Sequence, residues 1–132
     1  MRLGKTYAAG AAALGITAVL ASAAPALAAA GKNSPLLSTS RGNARFYANG
    51  DKVIVCDGKT DGYQPIARAD YAVTGGGYQE FADVRAPSST ADDFCRSFSK
   101  NIPEGRKVYI HLEFWNPKTN EFIDGPSGYG VS

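Results

Sequence analysis

Two aspartates in the stretch CDGKTDGY, residues 56–63, have the chemistry to hold a hard cation. Calcium takes carboxylate and carbonyl oxygens, and its helix–loop–helix sites space their ligands over a fixed twelve-residue loop. With Asp57 as the first ligand of such a loop, Asp61 becomes the fifth residue and Gly62 fills the place where glycine is required. Lys59 and Arg68 then occupy the third and twelfth places, where oxygen ligands are needed. Two cations at ligand positions break the pattern. Asp57 and Asp61 remain calcium candidates only in some other geometry, and the competing reading is a turn. Aspartate side chains accept from their own backbone two residues on, and glycine takes positive φ.

Hydrolytic chemistry depends on His111, because the chain has one histidine. It lies between Ile110 and Leu112, and no serine stands in a G-x-S-x-G elbow. A histidine on a strand face is a cross-strand packing partner unless a nucleophile reaches it. Glu80, Asp83, Glu113 and Asp124 are candidates for a glycosidase pair, but nothing in their spacing selects two of them. The expectation is a protein that is not an enzyme. Gly75-Gly76-Gly77 lacks the spacing of a phosphate-binding loop, so it reads as a turn, and no cofactor is expected.

A binding face is more legible. In RKVYIHLEFW, Val108, Ile110, Leu112 and Phe114 alternate with Tyr109, His111, Glu113 and Trp115. Period two puts each set on one side of a strand. Two flat aromatics beside a histidine and a carboxylate suit a sugar ring or a protein partner. The same four residues also suit a cross-strand ladder, or a core if both faces of the strand are covered.

These residues must be positioned by strands. Asn49-Gly50 between NARFYA and DKVIVCD is a hairpin signal. YQPIARADYAV alternates at Tyr63, Ala67, Ala69, Tyr71 and Val73, and its Pro65 argues for an edge strand or a bulge. YQEFADVRA, FCRSFS, RKVYIHLEFW and EFID follow, separated by Gly-Gly-Gly, PSSTADD, Pro103-Glu104-Gly105 and Asn116-Pro117, and the chain ends in GPSGYGVS. One helical turn is conceivable in TADDFCRSF, with Thr90 as cap and Asp92-Asp93 in its first turn. About seven short strands at this spacing predict an all-β fold, a small antiparallel sandwich of immunoglobulin-like architecture.

Arg2 and Lys5 precede an uncharged stretch from Thr6 to Ala30 that ends in Pro25 and Ala26-Leu27-Ala28. This is a secretory signal with a small-x-small cleavage site, placed after Ala28. Residues 1–28 are thus read as a signal peptide, 29–42 as a flexible lead-in and 43–132 as one sandwich domain. The precursor has fourteen Lys and Arg against twelve Asp and Glu, so its excess positive charge is Arg2 and Lys5. The charge balance points to neither nucleic acid nor a membrane surface once the signal is removed. Cys56 and Cys95 are the only cysteines and, in an oxidising compartment, are expected to pair.

ARFYANGDKVIVCDGKTDGY together with NIPEGRKVYIHLEFW resembles a group of small secreted proteins of actinomycetes. The resemblance spans roughly Ala44 to Trp115 and implies a secreted β-rich domain, with no catalytic residues to carry over. The expected protein is a secreted, extracellular binding protein. Its partner would be an extracellular protein or polysaccharide, and a docking inhibitor or toxin-like effector is the second reading.

Overall fold

A computed structural model describes residues 31–87 and 94–132. The expected signal peptide with its cleavage site, and Thr90, Asp92 and Asp93 of the conceived helical turn, lie outside the described residues. Eight strands run in chain order: β1 Leu37–Thr39, β2 Gly42–Tyr47, β3 Lys52–Asp57, β4 Gln64–Ala72, β5 Tyr78–Arg85, β6 Phe94–Ser99, β7 Lys107–Asn116 and β8 Glu121–Val131. They form two four-stranded antiparallel sheets, β1-β2-β3-β6 and β5-β4-β7-β8. The all-β sandwich expected from turn spacing is the fold. No described residue is helical, and Phe94–Ser99 is a strand rather than the helical turn conceived for TADDFCRSF.

Alternation builds the core. The first sheet contributes Ala44, Phe46, Val53 and Val55, and the second contributes Ala67, Ala69, Val84 and the β7 residues Val108, Ile110, Leu112 and Phe114. Phe46 and Phe81 meet across the two layers edge to face, with centroids 6.1 Å apart. Each fully buried aliphatic or aromatic side chain here stabilises by about 1.5–3 kcal/mol.

Phe81 owes its place to a bulge. Ala69 pairs with Ala82 but Asp70 pairs with Glu80, so Phe81 is the extra residue on β5 and both Phe81 and Ala82 turn inward.

Three expectations are corrected. Pro65 is on neither an edge strand nor a bulge, because β4 is internal, between β5 and β7. Its carbonyl accepts from Ala86 N at 2.9 Å, so its nitrogen also faces the β5 side, beyond the last paired residue Arg85. A proline near a strand start, past the last paired residue of its neighbour, is tolerated because no ladder bond there depends on its missing N–H. The segment 29–42 is not a loose lead-in over its described part. It contains β1, Lys32 pairs with Val131 through bonds of 2.7 and 2.8 Å, and Ser34 exchanges two bonds with Phe46. The last strand, finally, does not stop at EFID.

β8 continues through Gly-Pro because its inward positions are glycines. A Cβ on Gly130 would stand 2.6 Å from Lys32 O and 2.7 Å from Phe46 Cδ1, and one on Gly128 would touch Pro35 and Leu37. The bare backbone lets residues 31–37 close that end of the sandwich.

The Cys56–Cys95 disulfide forms as expected. It joins directly opposed residues of internal β3 and edge strand β6, on the side of the first sheet away from the core.

Candidate functional site

The face singled out from RKVYIHLEFW is the outer surface of the second sheet. Val108, Ile110, Leu112 and Phe114 are buried, and Tyr109, His111, Glu113 and Trp115 are half-buried on the opposite side. Trp115 is therefore not a core residue. Pairing with β4 sets Gln64, Ile66, Arg68 and Asp70 beside the four, and pairing with β8 sets Phe122, Asp124, Ser127 and Tyr129 on their other flank.

Charge occupies the centre of this face. Arg68 Nη2 lies 2.9 Å from Glu113 Oε1, and its Nε lies 3.9 Å from Asp83. The guanidinium is half-exposed, so these pairs add at most about 1 kcal/mol each. His111 Nε2 meets Asp124 Oδ1 at 2.6 Å. The carboxylate accepts, so Nε2 carries the hydrogen. The second ring nitrogen, Nδ1, is buried and has no hydrogen-bond partner.

In that arrangement the one ring nitrogen left to act as a base is buried. A base must present a free nitrogen to the group it deprotonates. One nitrogen of His111 is engaged by Asp124, and the other, Nδ1, is buried. Ser127 stands opposite His111 in register, but no hydrogen bond links the two. Three of the four carboxylates weighed as a glycosidase pair are matched to a cation or to the imidazole: Glu113 and Asp83 flank Arg68, and Asp124 holds His111, while Glu80 has no such pair among the described residues.

Aromatics occupy the two ends. The Arg85 guanidinium lies 4.3 Å from the Trp115 ring centroid, reaching across from β5, and Phe122 stacks on it from β8 at 6.3 Å. Trp115 Nε1 donates to Asn120 Oδ1 at 3.1 Å. At the other end Tyr109 meets Tyr129 at 5.2 Å, lies parallel to the His111 ring at 6.4 Å, and Lys107 Nζ sits 4.0 Å from the Tyr129 centroid. Phe122 and Tyr129 remain 53% and 48% exposed.

Sequence reasoning found the β7 row and missed Arg68, Arg85, Phe122 and Tyr129. Phe122 and Asp124 do alternate, which was a usable signal. Tyr129 was hidden by the glycines around it, and Arg68 and Arg85 belong here only through the register of β4 and β5.

The aspartates of CDGKTDGY do what turn residues do. Asp57 Oδ1 accepts from Lys59 N at 3.1 Å and Asp61 Oδ1 from Tyr63 N at 3.0 Å, each two residues on. Gly62 has φ +82°, whereas Gly58 needs no positive φ. Asp61 Oδ2 also pairs with Arg41 Nη1 at 3.0 Å, and that guanidinium lies 4.4 Å from the Tyr63 ring. A guanidinium thus stands against the carboxylate that a calcium ion would need. Among the described residues no group of three or more His, Cys, Asp or Glu side chains is arranged to hold a metal.

Tyr63 completes the cluster. Its hydroxyl donates to Glu121 Oε2 at 2.8 Å, and this bond, with partial desolvation and the carboxylate charge, raises the phenol above its ordinary value. No helix among the described residues is long and apolar enough to cross a membrane. No known protein-family model, curated protein or solved structure matches the chain.

Proposed function

We propose that this is a secreted, non-enzymatic binding protein of the cell exterior that docks a partner protein on the outer face of β5-β4-β7-β8. One observation carries the reading. Phe122 and Tyr129 stand largely exposed at opposite ends of one face, each backed by a half-buried aromatic, with ion pairs between them. Interfaces favour such aromatic and arginine anchors around a satisfied polar centre. A polysaccharide is the weaker partner, because sugar stacking needs a free ring face. The Arg85 guanidinium already lies over the Trp115 ring, and Phe122 flanks it at 6.3 Å. The burial of His111 Nδ1, the nitrogen that Asp124 leaves free, supports a role without catalysis. The signal-like N-terminus and the disulfide support an extracellular site of action.

The test is differential capture. Immobilised protein and a Phe122→Ala/Tyr129→Ala variant are exposed to culture-supernatant and cell-wall fractions, after circular dichroism has shown both folded. A protein retained by the first and lost by the second supports the reading. Equal retention by both, or retention of polysaccharide alone, refutes it. The docking partner's activity in the presence of this protein then separates an inhibitor or effector from a passive binder.

A further inference from the structure

Four strand edges bound the two sheets, and three of them are protected against pairing with another chain. β1 has only three residues. β5 carries the Phe81 bulge and the charges Glu80, Asp83 and Arg85. β8 is interrupted at Gly125-Pro126, where its register against β7 shifts, and Lys32 bridges its far end. Short length, bulges, charges and proline are the devices that keep edges from associating.

β6 lacks them. It pairs with β3 without interruption over six residues, contains no proline, and has Arg96 as its single charge. All six residues are exposed, Phe94 at 45% and Phe98 at 41%.

The direction of its unpaired groups follows from two observations. Lys100 N donates to Asp51 O, which continues the β3–β6 register by one pair. The Cα atoms of Cys56 and Cys95 are 4.0 Å apart, the narrow spacing of a pair that exchanges no hydrogen bonds. Bonding sense alternates along an antiparallel ladder. Phe94, Arg96 and Phe98 therefore bond to β3, and the N–H and C=O groups of Cys95, Ser97 and Ser99 point away from it.

We propose that this edge is a homodimer interface in which β6 pairs antiparallel with β6 of a second copy, about a two-fold axis at Ser97. In that register Ser97 faces its own counterpart and Cys95 faces Ser99, so all three outward-pointing residues of each copy meet outward-pointing residues of the other. On the inner side Arg96 comes opposite Phe98 of the second copy and Phe94 comes opposite its Lys100. Each cation thus meets an aromatic ring. The neighbouring registers fail on charge. An axis at Arg96 opposes that residue to itself, and an axis at Phe98 opposes Arg96 to Lys100, both like-charge pairs that destabilise. The Cys56–Cys95 disulfide fixes the edge strand to the body of the sheet, so the dimer joins the two first sheets into one of eight strands.

Sedimentation equilibrium of the oxidised, folded protein tests this, with four outcomes read. The expected result is a concentration-dependent dimer. Ser97→Pro removes an outward donor while leaving the β3 ladder intact and should give a folded monomer at the same concentration. Phe98→Lys places like charges opposite Arg96 and should also give a monomer, so the proposal stays testable if the proline variant fails to fold. Phe122→Ala/Tyr129→Ala should leave the dimer unchanged, since those residues lie on the other sheet. A monomeric parent protein, a dimer that survives Phe98→Lys, or a dimer abolished by the Phe122/Tyr129 double variant overturns the proposal.

Discussion

Arg85 covers Trp115: the guanidinium carbon lies 4.3 Å from the centroid of the indole, with one strand between the two residues. The pair takes up a ring face of the lone tryptophan, and Phe122 flanks the same indole at 6.3 Å. Removing its cover is therefore a direct probe of the face. Arg85→Ala should raise the acrylamide-quenching constant of the tryptophan fluorescence and lower stability by about 0.5–1 kcal/mol, the range for an exposed cation–π pair. An unchanged quenching constant would show that Arg85 does not shield the ring in solution.

The disulfide closes a separation of 39 residues. Loop-closure entropy for that length is worth about 4 kcal/mol. Cys56→Ser/Cys95→Ser should lower the urea midpoint accordingly and raise the m-value, because the denatured chain freed of its cross-link exposes more surface. Because the bridge anchors an edge strand, amide exchange should accelerate first in β6. Uniform acceleration through β2 and β7 would argue against that local role.

Gly130 is where the chain's two ends meet. An added methyl would fall 2.6 Å from Lys32 O and 2.7 Å from the ring of buried Phe46. Gly130→Ala should cost about 1–3 kcal/mol as an overpacked site. Gly128→Ala, whose methyl would stand 3.3 Å from Pro35 Cδ, should cost less. Thermal melts of the two variants rank them, and equal melting temperatures would contradict the close approach.

Tyr63 supplies a pH dependence with a defined sign. Its hydrogen bond to Glu121, followed by desolvation and the carboxylate charge, raises the phenol above 10.0 in the folded protein. The fold thus favours the neutral phenol. Its contribution is fully present below the unfolded value and is lost as pH rises through the folded one. Alkaline denaturation midpoints should consequently differ, with Tyr63→Phe losing less stability than the parent above pH 10.0. Parallel curves for the two proteins would rule out the linkage.

Asp51 shows a kind of residue that sequence reading passes over. In sequence it is only the first residue of the run DKVIVCD after the Asn49-Gly50 turn, yet it is buried, has φ +44°, and its Oδ2 accepts from Ile102 N at 3.0 Å. Its partner lies fifty-one residues away. No local pattern in NGDKV announces that bond, because it exists only once β6 has returned beside β3.

Local chemistry was enough for what depends on neighbours in the chain. The period-two run in RKVYIHLEFW determined which β7 residues are buried, since successive strand side chains point to opposite faces. Asp57, Asp61 and Gly62 determined their own turn, and two cysteines allowed only one pairing. Tertiary structure decided the rest. Pro65 became part of an internal strand because its missing donor falls beyond the end of β5. GPSGYGVS became a strand because residues 31–37 pack against its glycines. Trp115 gained Arg85 from β5, which reaches it only once β5 and β7 flank β4, whereas Phe122 comes from the next strand of the same hairpin. Which strands lie at the edges, and so the exposure of β6, follows from sheet order, and sheet order is set by packing between distant segments rather than by the residues of any one strand.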